Sequence, residues 1–317
     1  MSTWQLPEGI DELTGDKALA FETLRRSLLD LYIGQGYELV IPPMAENIES
    51  LLLTSDSVDE KTFKFLDPAS GKMLGVHADI TPQIARIDAK KKTTDIQKYC
   101  YINAILQTKA DDFYASRSPI QAGAELYGST SIEADIEMIQ LMLSSLQLLN
   151  ISPVVLSLGN VGIFNTLIEL EDLTLAKSFQ LRQIYVKRSL PDLADFLNNN
   201  TLVNAQLFRA LMQLEGGVEV LDEALDVFKD FEQIYQKIQE LVQISQQLNS
   251  SETQIVIDLA ELKAYEYHSG LIFSAYNENY SKAIAQGGRY NSLSESFGHS
   301  RAATGFSFDL KFLSQSK

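Results

Sequence analysis

Two rhythms of apolar residues alternate along the chain, one with the repeat of a helix and one with the repeat of a strand. Between Gly15 and Gly36, residues Phe21, Leu24, Leu28, Leu31 and Tyr32 return to one helix face, and Gly34 and Gly36 stop the helix. Tyr37-Glu38-Leu39-Val40-Ile41 then predicts a strand, halted by Pro42-Pro43. Phe63 to Leu66 and Met73 to Val76 flank Asp67-Pro68-Ala69-Ser70-Gly71, the composition of a hairpin turn. Thr81-Pro82 opens the next helix in the order of a cap followed by proline. Tyr99 to Gln107 and Ser118 to Tyr127 read as two long strands around a loop of charged and small residues. A helix from about Ile132 to Leu149 carries Ile136, Ile139, Leu143 and Leu146 on one face, and Val154 to Leu158 is a strand closed by Gly159.

From Gly162 to about Ser245 the strand rhythm stops. Leu-rich patterns such as Leu202 to Leu214 and Val220 to Ile244 predict a helical insertion at about 165–248. Strands resume at Ile255-Val256-Ile257, Leu271 to Tyr276 and Thr304 to Phe308, and a short helix, Asp309 to Leu313, follows the last of them. The order predicts an α+β fold, a mostly antiparallel sheet flanked by helices, as one core over residues 1–317 interrupted by the insertion.

Composition narrows the function. The 317 residues are 45% apolar, enough for one large domain or a domain with an insertion. With 26 basic against 42 acidic residues the net charge is −16, and the one dense basic run is Lys90-Lys91-Lys92, where lysines also suit a helix C-terminus. That balance weighs against a nucleic-acid partner. A single cysteine, Cys100, excludes an internal disulfide and fits a reducing cytoplasm. Three widely separated histidines, His77, His268 and His299, lack zinc-ligand spacing, so no metal and no cofactor are expected. No run approaches the ~18 apolar residues of a membrane span. Met1-Ser2-Thr3-Trp4 lacks the order of a secretory leader, and a cytoplasmic protein is expected.

The usual catalytic motifs are missing, including a Walker loop, a dinucleotide glycine fingerprint and a Gly-x-Ser-x-Gly elbow. The stretch from Gln254 to Leu293 instead has the composition of a pocket wall. Tyr267, His268 and Tyr290 supply rings with polar tips, and Gly287-Gly288 lets another group approach the backbone. That suits a small polar ligand with a ring. Asp79 and Glu125 are two carboxylates that can share the pocket and hold an amine; salt bridging at strand ends is the alternative role for them.

Taken together these segments resemble histidyl-tRNA synthetase, a class II aminoacyl-tRNA synthetase, along nearly the entire chain. Gly36-Tyr37-Glu38 through Pro43 is similar to the family's first motif, whose proline lies at a dimer interface. Asp79, Thr81, Pro82 and Arg86 occupy its Glu-Gly-Thr segment, and Gln107 with Gln121 to Gly128 resembles the second motif. Lys263 to Gly270 is similar to the histidine-specific Arg-Gly-Leu-Asp-Tyr-Tyr-Thr-Gly stretch. Gly287 to Tyr290 and Thr304 to Leu313 resemble the third motif and its lead-in. The resemblance implies a pocket in which Asp79, Thr81 and Gln121 meet the amino group of histidine. Glu125, Lys263, Tyr267, His268 and Tyr290 complete it, with Pro43 at the homodimer interface.

The departures concern charge. Adenylate formation needs cations on the phosphates of ATP. The second-motif arginine falls at Gln107, the third-motif arginine at Phe312, the histidine-specific arginine at Lys263, and the arginine before Asp79 at His77. Arg117 remains as a possible residual anion contact. The chain also stops after the third motif, so no anticodon-binding domain and no tRNA are expected. This combination resembles the regulatory subunits of ATP phosphoribosyltransferase, a synthetase-like family without catalytic residues of its own. What the resemblance implies is a hetero-octamer with the short-form catalytic subunit, needed for its activity in the first step of histidine biosynthesis, and L-histidine as the feedback effector. A degenerate histidyl-tRNA synthetase-like enzyme and a free-standing amino-acid-binding module are the alternatives.

Overall fold

The computed structural model describes residues 4–52, 56–110, 116–171, 173–248, 250–262, 268–291 and 293–315. Helix α1 (Gly15–Gly34) buries Phe21, Leu28 and Tyr32, while Leu24 and Leu31 are only half-buried. The strand expected next is cut to β1 (Glu38–Leu39), because Pro42-Pro43 bring no N–H to a ladder. Strand β2 (Ala45–Asn47) leads to helices α2 (Ile48–Leu52) and α3 (Asp56–Lys61). Strands β3 (Phe63–Leu66) and β4 (Met73–Val76) form the expected hairpin, in whose turn the Asp67 carboxylate accepts the amides of Ala69 and Ser70, each at 3.1 Å. Helix α4 (Thr81–Lys91) starts at the Thr-Pro pair as expected. Thr81 does not cap it, however; Ile80 holds the cap position, and the threonine hydroxyl is used elsewhere.

The two long strands are β5 (Gln97–Ala104) and β6 (Ile120–Tyr127), each a little shorter than the sequence suggests. Helix α5 (Ile132–Leu148) and strand β7 (Val154–Asn160) follow. The helical stretch comprises α6 (Val161–Leu170), α7 (Leu175–Val186), α8 (Leu190–Asn199) and α9 (Ala205–Gln213), then α10 (Val220–Val227) and α11 (Glu232–Leu248). Two features of it differ from expectation. A two-residue strand, β8 (Glu215–Gly216), interrupts it, and the pattern from Val220 to Ile244 breaks into two helices around the buried Phe228. Strands β9 (Thr253–Asp258), β10 (Leu271–Tyr276) and β11 (Ala285–Arg289), a short 3-10 turn (Leu293–Phe297), β12 (Ala303–Asp309) and α12 (Leu310–Gln315) complete the order.

The chain divides into two compact units, the first comprising Met1–Thr130, Leu141–Ile151 and Tyr290–Lys317, the second Ser131–Gln140 and Ser152–Arg289. In the first, β1 runs parallel to β5, β5 is antiparallel to β6, and β6 is antiparallel to β12. Helices α1 and α12 pack together against this layer, and β2, β4 and β3 form a separate small sheet. In the second, β11 and β10 are antiparallel, β10 and β7 antiparallel, β7 and β9 parallel, and β9 and β8 antiparallel. The helices expected as an insertion fall in this unit; α6 packs on β10 and α11 on β7. The pairing is mostly antiparallel and the class is α+β, as the sequence order predicts. No helix among the described residues is long and apolar enough to cross a membrane.

Candidate functional site

The site is set out by strand register. Alternate residues of a strand share a face, so β5, β6 and β12 present cross-strand rows. Asn103, Gln121 and Asp309 form one row, Tyr101, Gly123 and Ser307 the next, and Tyr99, Glu125 and Gly305 the third. Large and small residues alternate, and the glycines are where the space goes. A Cβ on Gly123 would lie 2.6 Å from the Tyr101 hydroxyl, and one on Gly305 would overlap the Glu125 carboxylate, 2.6 Å from its Cδ. Tyr101 and Glu125 therefore lean over the glycines beside them.

Glu125 is 1% exposed and accepts hydrogen bonds from three hydroxyls. Thr81 Oγ1 donates at 2.8 Å and Tyr101 Oη at 3.0 Å, both to Oε1, and Tyr290 Oη donates to Oε2. Burial pushes the Glu125 carboxyl up to about 8; the three hydroxyls oppose that rise and the charge of Asp79 adds to it. A second knot adjoins it. Gln121 Oε1 accepts the Ile80 amide at 3.0 Å, which fixes the side-chain amide so that its Nε2 donates to Asp79 Oδ1 at 2.9 Å and to Ser307 Oγ at 3.2 Å. Asp79 Oδ1 also accepts the Thr81 amide at 3.3 Å. The network thus offers two carboxylates, one amide and four hydroxyls to a ligand, with no guanidinium or ammonium among the donors named. Acids of this kind suit a cationic or imidazole-bearing group.

Of the residues singled out in the sequence, Asp79, Thr81, Gln121, Glu125 and Tyr290 are brought into this one network. Tyr101 and Ser307 belong to it as well and were missed. The signal that would have found them is cross-strand, since both stand opposite Gly123, and it becomes readable only once the register is known. His268 lies in the second unit, buried against Gly288, whose added Cβ would be 3.0 Å from the ring. Burial pulls its imidazole down to about 3, so it is neutral. Lys263 and Tyr267 lie outside the described residues. Pro43 is exposed, and its carbonyl accepts Gln83 Nε2 at 2.9 Å.

Two of the described positions where the synthetase resemblance calls for arginine, Gln107 and His77, are tied to the chain itself, as is the retained Arg117. Gln107 Nε2 donates to the Ala78 carbonyl at 3.1 Å. The His77 ring nitrogens meet Gln83 Oε1 and the Ala104 carbonyl, both at 2.7 Å. Arg117 donates to the carbonyls of Gln107 at 3.1 Å and Glu8 at 3.0 Å, with its guanidinium over the Phe63 ring. Phe312 is half-buried, and the cation beside it, Lys311, was missed as a candidate. Its ammonium is buried and bonds Asp11 Oδ1 at 2.8 Å, Ser118 Oγ at 3.1 Å and the Ser118 carbonyl. Among the described residues no group of three or more His, Cys, Asp or Glu could hold a metal ion.

Comparison with known proteins bears on the fold and the family. A family model described as histidyl-tRNA synthetase matches residues 9–313. An ATP phosphoribosyltransferase regulatory subunit of Thioalkalivibrio sulfidiphilus is 41% identical over 318 residues, covering 98% of this chain and 80% of the relative. The protein of the same name from Thiobacillus denitrificans is 41% identical over 315 residues, covering 99% of this chain and 98% of its own. The crystal structure of an ATP phosphoribosyltransferase regulatory subunit/histidyl-tRNA synthetase from Bacillus halodurans is similar with a TM-score of 0.87 at 22% identity, over 100% of this chain and 84% of that one. A chain of the ATP phosphoribosyl transferase (HisG:HisZ) complex from Thermotoga maritima is similar with a TM-score of 0.67 at 16% identity, over 94% of this chain and 98% of that one. At those identities the two structures speak to the fold alone.

Proposed function

The chain belongs to the family of ATP phosphoribosyltransferase regulatory subunits, built on the histidyl-tRNA synthetase fold, and from that membership we propose that it carries histidine feedback to a separate catalytic subunit without catalysing a reaction itself. Its partner is the phosphoribosyltransferase chain, which needs it for full activity in the first step of histidine biosynthesis. The effector, L-histidine, occupies the acid-and-hydroxyl network. In this reading Asp79, Thr81 and Gln121 receive its ammonium and Glu125 and Tyr290 face its ring, while Lys263, Tyr267 and His268 are assigned to the ligand by the synthetase resemblance alone. Homodimerisation uses the surface around Pro43, the full assembly is a hetero-octamer, tRNA is not a ligand, and the complex works in the cytoplasm.

The observation that carries the reading is a division of labour among polar groups. The network around Glu125 holds acids and rotatable hydroxyls suited to an amino acid, whereas Gln107, Arg117 and Lys311 already bond to their own chain. A protein so arranged can hold histidine, while Arg117 and Lys311 are engaged by their own chain and not by the phosphoryl charge that adenylation must stabilise. Feedback then requires histidine to favour one state of the assembly, and its effect is bounded by that difference in affinity.

The test is turnover of the purified transferase chain with and without this protein, across a histidine titration. We expect activation by the protein and inhibition by histidine, with no histidine-dependent pyrophosphate exchange from the protein alone. Unchanged turnover would overturn the regulatory reading. The Glu125→Ala variant should still assemble but need about 10- to 100-fold more histidine for half-inhibition, the cost of leaving a buried polar group of the ligand without its partner. Normal inhibition of that variant would move the effector to another site.

A further inference from the structure

The segment ahead of α1 does more than lead into it. Residues 7–12 turn back on themselves, with the Ile10 amide bonded to the Pro7 carbonyl at 3.1 Å, and lie along residues 116–118. The Arg117 amide donates to the Gly9 carbonyl at 2.6 Å, and Arg117 Nη1 to the Glu8 carbonyl at 3.0 Å. Gly9 has φ +73°, and a Cβ there would press on the Arg117 side chain at 2.9 Å, so the fit depends on glycine. The segment ends in a carboxylate. Asp11 Oδ1 accepts from Lys311 Nζ at 2.8 Å, from Ser118 Oγ at 3.3 Å and from Ser116 Oγ.

This is an unequal pairing. Lys311 keeps only 6% of its side chain exposed, while Asp11 keeps 42%. The receiving half is built in: Ser118 binds the ammonium through both its carbonyl and its hydroxyl, and the Ser118 amide donates to Ser116 Oγ at 3.1 Å. An ammonium with two hydroxyls converging on one oxygen is the donor set that recognises an oxyanion. The occupant is a surface side chain on a strap.

We propose that Ser116, Ser118 and Lys311 form an oxyanion site for phosphate-bearing small molecules, and that the N-terminal strap fills it, with Asp11 seated where a phosphate oxygen of an external ligand would bind. Strap and ligand then exclude one another. A tethered carboxylate acts as a competitor at an effective concentration of about a millimolar. The apparent affinity for an external anion is reduced by the fraction of time the seat is open. The inference is independent of where histidine binds. It concerns why phosphates are kept out, and it assigns part of that exclusion to a removable contact.

The experiment titrates pyrophosphate and, separately, ATP into the full chain and into the Asp11→Ala and Asp11→Ala/Lys311→Met variants, followed by calorimetry. Asp11→Ala should bind pyrophosphate at least about tenfold more tightly than the parent, as expected for a seat otherwise open less than about a tenth of the time. The double variant should lose that gain. ATP binding in step with pyrophosphate identifies any polyphosphate as a ligand; pyrophosphate alone identifies the free anion. A natively folded Asp11→Ala that binds no better than the parent, or a double variant that binds equally well, overturns the proposal. Should Asp11→Ala not fold, limited proteolysis of the unmodified chain decides the matter. Pyrophosphate, and not chloride of equal ionic strength, must hasten cleavage within residues 7–12; identical cleavage in the two salts also overturns it.

Discussion

Two patches on the first unit, one on the face of β5, β6 and β12 and one beside the start of β6, use their polar groups in opposite ways. Around Glu125 the polar groups meet as a carboxylate and hydroxyls, and hydroxyl rotors can turn from each other toward a ligand. Near the start of β6 they meet as cations against carbonyls and a carboxylate, which hold Arg117 and Lys311 in fixed directions. The fold is common to both; what differs is how far the chain has spent its donors on itself. Loss of a reaction can therefore be written in hydrogen-bond partners as well as in substituted residues.

The largest expected break in this contrast comes from Gly305→Ala. Its methyl would overlap the Glu125 carboxylate and stand 2.7 Å from the Ala124 carbonyl, so either β12 shifts or Glu125 leaves the network. Overpacking of this kind is expected to destabilise by about 3 kcal/mol, read from urea unfolding, and to raise the histidine needed for half-inhibition along with it. An alanine variant with unchanged stability and feedback would mean that the glycine is incidental.

An intermediate effect concerns pH. The folded Glu125 carboxyl titrates near 8 against an ordinary 4.5, so between those values the folded chain binds the extra proton. Its stabilising contribution is thus complete below pH 4.5 and is lost as pH rises toward 8. Glu125→Gln removes that loss, and its stability relative to the parent should improve by about 2 kcal/mol from about pH 5.5 to about pH 7 in urea titrations. A constant difference across that range would show that Glu125 is ionised throughout. The smallest effect belongs to the other patch: Arg117→Gln should move half-inhibition by histidine by less than about twofold, since its side chain bonds the Gln107 and Glu8 carbonyls and no member of the Glu125 network. A tenfold shift would tie the two patches together.

How legible these features are in the sequence depends on how local their causes are. The hairpin at Asp67 and the helix start at Thr81-Pro82 are set by neighbours within a few residues, and both stand where the pattern puts them. Asp79, Thr81, Gln121, Glu125 and Tyr290 could be named from motif resemblance, and they meet in one network. The use made of Thr81 could not, because a threonine before proline has the form of a cap whether its hydroxyl turns to its own helix or to Glu125. Tyr101 and Ser307 owe their place to pairing across three strands. Lys311 was hidden behind its neighbour Phe312, since side-chain direction at the β12–α12 junction is settled by packing. The break between α10 and α11 likewise follows from burial of Phe228, which an unbroken helical rhythm does not reveal.

The rows on β5, β6 and β12 carry a consequence for inheritance. Gly123 sits beside Tyr101 and Gly305 beside Glu125, each bare backbone position existing for the bulk next to it. A descendant lineage that enlarges either glycine must trim the neighbour in the same stroke. Such a surface should drift by couples, and the intermediate with only one of the two changes should be the rarest genotype of all.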